Sequence, residues 1–222
     1  MFVKNYMTRD PVTATPDTSH QNAMKLLRKH KIRRLPIIDD GKLIGMVVEK
    51  DLLTNQPSPA TTLSIYEIYS LLERLKIHQL MIIPVITVEG DCPMEEAARI
   101  MIAEKIGCLP VMDAEKLIGI ITETDIFKAL AQILGGGEGG IRVTIQVPDR
   151  VGQLADVTKQ IADAGGNIHA ITATESQDDG NWEITIKEQG ADESTLKEKF
   201  KRAQIKIIDL RKSASYKPRT FG

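Results

Sequence analysis

The chain has 222 residues, of which 42% are hydrophobic and 27% charged, and its formal net charge is −1. That length allows two small domains or one large one, and the composition suits a globular chain that buries a core. Near-neutral charge gives no global pull toward nucleic acid or an anionic surface, and no apolar run approaches the roughly 18 residues of a membrane span.

The opening stretch, MFVKNYMTRD, has no cationic segment ahead of an apolar run and does not read as a signal peptide. Cys92 and Cys108 lack metal-like spacing and make no disulfide framework, so a cytoplasmic chain with reduced thiols and no metal is expected. Along the chain, PVTAT reads as a short strand, and Asp17–Thr18 offers a cap for a helix with Ala23, Leu26 and Leu27 on its apolar stripe. RLPIID and KLIGMVV follow as two short strands, and a further helix starts at Glu49. TNQPSPATT is a loop, and SIYEIYSLLERL is a helix over about 64–76 with a Ser64–Glu67 capping box. Its Ile65, Ile68, Leu72 and Leu75 are expected to face the core.

The order then repeats. Shifting the chain by 74 positions (116 − 42) aligns 7–53 with 81–127 without a gap, with fifteen identities in 47 positions. They include Met7/Met81, Thr13/Thr87, Lys31/Lys105, Leu35/Leu109, Pro36/Pro110, Gly45/Gly119, Glu49/Glu123 and Asp51/Asp125. The second copy reads PVITV, a helix starting at Pro93 with Ala97, Ile100 and Met101 inward, then CLPVMD, KLIGIIT and a helix from Glu123. A strand–helix–strand–strand–helix unit this small has one apolar sheet face too many for its own core, so the two copies should pack face to face.

GGGEGG at 135–140 reads as a flexible linker with a reach of about 13 Å, since a phosphate loop needs different spacing. Beyond it, IRVTIQV alternates with Ile141, Val143, Ile145 and Val147 on one face. QLADVTKQIADAGG is a helix with Leu154, Val157 and Ile161 inward and a glycine end. NIHAITATES and NWEITIKE form a hairpin about QDDG, DESTLKEKF is a helix with Leu196 and Phe200 inward, and IKIIDL closes the sheet. This βαββαβ order is the ferredoxin-like plan, and 212–222 reads as a flexible tail.

The twice-repeated LP, the hIG turn and the segments GMVVEKD and GIITETD resemble the CBS domain, and the tandem over 1–134 resembles a CBS pair, or Bateman module. VPDRVGQLADV resembles the loop of the ACT domain over 141–211, with Asp149, Gly152 and Leu154 in the D-x-x-G-x-L positions. Val151 stands where that family usually has proline. The fold class implied is α/β (α+β): two CBS units in a pseudo-two-fold pair, then a ferredoxin-like ACT domain. A CBS pair followed by an ACT domain in a chain of this size resembles the AcuB-like acetoin-utilisation proteins.

The resemblance implies an adenine nucleotide (AMP, ADP or ATP, or S-adenosylmethionine instead) between the repeats, as a regulatory ligand rather than a cofactor. The last Asp of the GhhTExD segment takes the ribose hydroxyls and the Thr three residues earlier faces phosphate, which gives Asp125 and Thr122. The first copy has Asp51 but Val48, while Arg33 and Arg34 stand where the second copy has Gly107 and Cys108. Thr13 and Thr87 complete the implied nucleotide set. For the ACT domain the resemblance implies a small effector such as an amino acid, held by Asp149, Gly152, Gln153 and Leu154 with Asn167 across the cleft. Helix capping by both aspartates, solvated arginines and a purely dimerising ACT unit are the bland alternatives.

No Ser–His–Asp or Cys–His spacing points to an enzyme, and His20, His30, His78 and His169 read as surface or cap residues. The expectation is a non-catalytic homodimeric sensor acting on an unidentified regulated protein, with a ligand-free interaction scaffold as the alternative. Nucleic-acid binding is disfavoured, because Trp182 is the single aromatic on the expected strands of the last domain and no basic stripe accompanies it.

Overall fold

A computed structural model of the chain describes residues 1–56, 62, 64–137, 139–176 and 180–212. The chain divides into two compact units, Met1–Phe127 and Lys128–Gly222.

In the first unit, each repeat contributes an amphipathic helix and a two-stranded antiparallel ribbon. The first has β1 (Thr8–Arg9), α1 (His20–His30), β2 (Arg34–Asp39), β3 (Lys42–Val48) and α2 (Glu49–Thr54); α3 (Ile65–Arg74) connects it to the second. The second has β4 (Val88–Glu89), α4 (Met94–Glu104), β5 (Cys108–Asp113), β6 (Lys116–Thr122) and α5 (Glu123–Ile133), which runs on into the second unit. β2 pairs with β3 and β5 with β6 in equivalent registers, each with a shift after the residue pair Ile37/Gly45 or Val111/Gly119. Ala23, Leu27, Leu35, Ile37, Val47 and Leu52 form the first core, and Ala97, Leu109, Val111 and Ile121 are buried in the second copy.

The repeats are laced together by crossed strand pairing. β1 of the first repeat pairs with β6 of the second, with Thr8 opposite Ile120 and Arg9 opposite Gly119. Conversely, Ile82 of the second repeat bridges Met46 of β3, with reciprocal backbone hydrogen bonds of 3.2 and 2.8 Å. The shared Met and Gly of the repeat now have a reason. A Cβ on Gly119 would collide with the Met7 side chain, and one on Gly45 with that of Met81, so each methionine lies against the other repeat's glycine. Lys31 and Lys105 both end their helices in the left-handed region, at φ 54°.

The second unit is a four-stranded antiparallel sheet of order β10-β7-β9-β8 with two helices on one face. Its elements are β7 (Ile141–Val147), α6 (Gln153–Asp163), β8 (Asn167–Glu175), β9 (Trp182–Gln189), α7 (Glu193–Arg202) and β10 (Lys206–Lys212). Ile141, Val143, Ile145 and Val147 pack with Val157, Ile161, Leu196 and Phe200, as the alternation implies.

Several local expectations are corrected. The helix α3 has the Ser64–Glu67 capping box but buries no residue, and Ile65 is 69% exposed: its apolar face lies against the flank of α1. Ser19, not Asp17–Thr18, caps α1 by accepting from the Asn22 amide at 3.3 Å. His20 is buried, and its Nε2 donates to the Leu52 carbonyl at 2.7 Å, joining α1 to α2. Leu154 is half-exposed, because one residue after the helix start it points away from the sheet. Gly135 and Gly136 are not a free tether: their amides bond Gln132 and Ala131 carbonyls, and Lys187 Nζ donates to the Gly135 carbonyl at 2.6 Å. Lys212 still pairs with Ile141; residues 213–222, most of the 54–62 loop and most of the QDDG turn lie outside the described residues.

These burials set two contrasting stability outcomes. Phe200→Ala should lower the unfolding free energy of the second unit by about 3–5 kcal/mol in denaturant titration, through lost transfer energy and a cavity. Tyr66→Ala, on the exposed side of α3, should change the unfolding free energy of the first unit by no more than about 0.5 kcal/mol.

Candidate functional site

The crossed pairing builds a cleft that neither repeat contains alone. The segment after β1 supplies Asp10, Pro11 and Val12, the end of α1 supplies His30 to Arg34, and the β6–α5 junction supplies Thr122 and Thr124. The cavity is about 390 Å³, within the range of about 300–1,000 Å³ usual for small-molecule pockets. Lys31, Arg33 and Arg34 are its permanent cations, against one lining carboxylate, Asp10. Asp10 adopts φ 46°, a left-handed conformation that a short polar side chain tolerates.

At the junction, Asp125 Oδ2 accepts the Thr122 amide at 3.0 Å and the Thr122 hydroxyl at 2.7 Å, while Thr122 Oγ1 stands 3.4 Å from the Asp125 amide. The pair caps the start of α5, an eleven-residue helix whose amides give this end positive character. Gly107 lies beside it: a Cβ there would strike the Arg34 guanidinium and the Glu123 carboxylate. Where the first repeat carries Arg33, the second therefore carries the residue that leaves Arg34 room.

The pseudo-symmetric counterpart is differently furnished. Under the 74-residue shift, His30, Arg33, Arg34, Thr122 and Thr124 become Glu104, Gly107, Cys108, Val48 and Lys50. Met46 and Cys108 pack there with Val48 and Val85, and they bury Ile120 of the polar cleft from behind. Burial pushes the Cys108 thiol up to about 11, partly countered by Arg34. Asp51 is half-buried, but α2 begins without a side-chain cap because Val48 has no hydroxyl to share.

The structure thus brings Arg33, Arg34 and Thr122 to one cleft with Asp125 at its rim, and leaves Asp51 on the other side of the pseudo-two-fold. Thr13 is exposed next to the lining Val12, and Thr87 lines a separate groove with Leu43 and Ile44. Thr8, Asp10, His30, Lys31 and Thr124 were not singled out from sequence. For Thr8, Asp10, His30 and Thr124 the available signal was the same repeat mismatch that marked Arg33 (Asp10 faces Pro84 under the shift, and Thr124 faces Lys50), whereas Lys31 matches Lys105 and carried no such signal.

In the second unit, Asp149 is exposed and Gly152, at φ 83°, caps α6 with open space around its Cβ position. Gln153 is buried with its Oε1 unpartnered among the described residues. Asn167 does not stand across from Gly152 within one chain. It follows the far end of α6 and pairs with Gln189, whereas the Gly152 turn follows Val147, which pairs with Trp182 at the opposite end of the sheet. Leu154 and Asn167 are exposed, so no enclosed effector pocket forms from these five residues in a single chain.

The described residues contain no group of three or more metal-ligating side chains, and none of their helices is long and apolar enough to cross a membrane.

The CBS domain model matches residues 3–57 and 77–132, and the ACT domain model matches 141–204. A CBS domain-containing protein of Dictyostelium discoideum is 34% identical over 140 residues, covering 60% of this chain and 94% of that protein. Two longer relatives from Methanocaldococcus jannaschii are covered over only 47% and 43% of their own length. Among solved structures, AcuB from Vibrio cholerae, named for acetoin utilization, is 32% identical with a TM-score of 0.51, covering 61% of this chain and 93% of that one. CBSX2, a protein known from Arabidopsis thaliana, was solved in complex with AMP; it is 32% identical with a TM-score of 0.51, covering 60% of this chain and 97% of that chain.

The Thr122–Asp125 cap yields a direct test. Thr122→Val should cost about 1 kcal/mol in denaturant unfolding of the first unit, as for loss of a helix cap. Val48→Thr should stabilise, since it restores the missing hydroxyl opposite Asp51.

Proposed function

Since the chain belongs to the CBS-domain proteins, with an ACT domain behind its CBS pair, we propose that it is a non-catalytic regulatory sensor of an adenine nucleotide. The observation that carries this reading is the single cleft that gathers Arg33, Arg34 and Lys31 beside the Thr122–Asp125 cap. The AMP-bound relative CBSX2 supports the ligand class.

In this reading Asp125, at the start of α5, accepts from the ribose hydroxyls. The phosphates lie toward Thr122, the α5 amides and the arginines, where a hydroxyl, a helix N-terminus and guanidinium groups all favour an anion. The counterpart side, where Met46, Cys108 and Val48 pack together without a phosphate-facing hydroxyl, takes no second nucleotide in this reading. Binding at the cap acts on α5, the helix that runs on into the second unit, and it can bias the chain only through different affinity for two of its arrangements. The ACT domain contributes dimerisation or an effector input, and acetoin utilisation is the metabolic setting that the AcuB resemblance supports.

Calorimetric titration of the full chain with AMP, ADP, ATP and S-adenosylmethionine tests this. One adenine nucleotide per chain should bind, and Asp125→Ala should weaken it about tenfold or more, as two hydrogen bonds to a charged acceptor are worth ~1.5–3 kcal/mol each. Asp51→Ala should cost little, and Arg33→Ala should weaken ATP more than adenosine. No heat with any of the four ligands would leave the ligand-free scaffold as the answer.

The same reading makes the protein a homodimer, in keeping with the exposed Ile102, Tyr66, Tyr69 and Phe127 of the first unit and with the prevalence of closed two-fold assemblies. Light scattering at micromolar concentration should give twice the chain mass; a monomer there would remove dimerisation from the proposal.

A further inference from the structure

The two helices of the second unit cover one face of its sheet, and the other face carries an unbalanced row of charge. By register, Arg211 on β10 stands opposite Arg142 on β7, and Arg142 stands opposite Lys187 on β9. Like charges directly opposite on one sheet face repel. The carboxylate in contact with this row is Asp209, which receives Arg211 Nε at 2.7 Å, Arg211 Nη2 at 2.8 Å and Arg142 Nη1 at 3.2 Å. Arg211 and Arg142 thus share one anion, and Lys187 stands at the end of the row furthest from it.

The next row along the strands runs from Asp209 on β10 into three hydroxyls. Thr144, Thr185 and Thr172 lie side by side on β7, β9 and β8. Thr144 and Thr185 share a hydrogen bond at 2.9 Å, and Arg142 Nη1 donates to Thr144 Oγ1 at 3.2 Å. Between the cation row and the hydroxyl row is a cavity of about 120 Å³ lined by Leu134, Arg142, Ala170, Thr172, Thr185 and Lys187. Lys187 donates one bond to the Gly135 carbonyl, and an ammonium has three hydrogens to give.

We propose that this pocket on the open sheet face binds a short-chain carboxylate, with Lys187, Arg142 and the Thr172 and Thr185 hydroxyls on the carboxylate and Leu134 and Ala170 on the alkyl tail. Size selects first. A water molecule takes about 30 Å³ in the liquid, so the cavity has room for a group of roughly four to six heavy atoms. Charge selects next: no carboxylate lines the pocket to receive an α-ammonium, which disfavours an amino acid. The apolar walls then favour a carboxylate with a tail over inorganic phosphate, because the tail removes apolar surface from water. The site is separate from the Gly152 turn and does not depend on the nucleotide reading of the other unit.

The test is calorimetric titration of the full chain with sodium propionate, against sodium chloride at equal ionic strength, inorganic phosphate and alanine. Saturable propionate binding at one per chain is expected, about tenfold weaker in Lys187→Met, which corresponds to ~1.4 kcal/mol. It should be lost in Leu134→Trp, which fills the cavity, and weakened severalfold in Thr172→Val, which keeps the side-chain volume. Circular dichroism reports folding, and if Lys187→Met fails to fold, the Thr172→Val result decides. The proposal is overturned by absence of saturable propionate binding at millimolar concentration, by equal binding of phosphate or alanine, or by propionate affinity that survives these substitutions.

Discussion

The first unit depends on one exchange: each repeat completes the other's ribbon. Thr8 and Arg9 pair with β6, Ile82 pairs with Met46 of β3, and each repeat's methionine lies against the other's glycine. A two-stranded ribbon with one helix has little independent stability, because too much of its apolar surface remains in water. The exchange lengthens each ribbon and buries its remaining face at the same time. It also fixes the composition of both clefts, since the segment after β1 and the end of α1 face the β6–α5 junction, never their own.

That geometry turns sequence drift between the copies into a functional asymmetry. One cleft inherits Asp10, Lys31, Arg33 and Arg34 from the first repeat and Thr122 from the second, and cations kept this close have to remain solvated or meet an anion. The other inherits Val48, Met46 and Cys108, which satisfy one another by packing. Burial raises the Cys108 thiol far from the range in which a thiolate reacts, so this cysteine behaves as a small hydrophobe. The polar cleft sits at the start of α5, and α5 is the segment by which the chain continues into the second unit.

The second unit distributes its surfaces differently. Its apolar alternation seats α6 and α7 on one face, and the same alternation sends Arg142, Thr144, Thr185 and Lys187 to the other. In an antiparallel sheet such a face ordinarily needs only water. Here the side chains are organised by ion pairs and by the Gly135 turn, which Lys187 holds, so polar groups and a small cavity occupy the same place.

The sequence by itself determined the duplication, the element order and the apolar faces of the strands and of most helices, because periodicity and a gapless 74-residue repeat report local structure directly. Through the resemblance it also pointed to Thr122, Asp125, Arg33 and Arg34 as candidates, on different repeats. Tertiary structure decided that Arg33, Arg34 and Thr122 share a cleft, that Asp10, Lys31 and Thr124 join them, and that Asn167 stands at the far end of the sheet from Gly152. It also left the apolar stripe of α3 without a core to enter and placed His20 inside one. Amphipathic spacing states that a side chain has an apolar side, whereas burial depends on which element arrives opposite it. In this chain the crossed pairing of the repeats settles that for the first unit, and a pairing between residues more than a hundred positions apart, such as Thr8 and Ile120, leaves no periodic trace in the sequence.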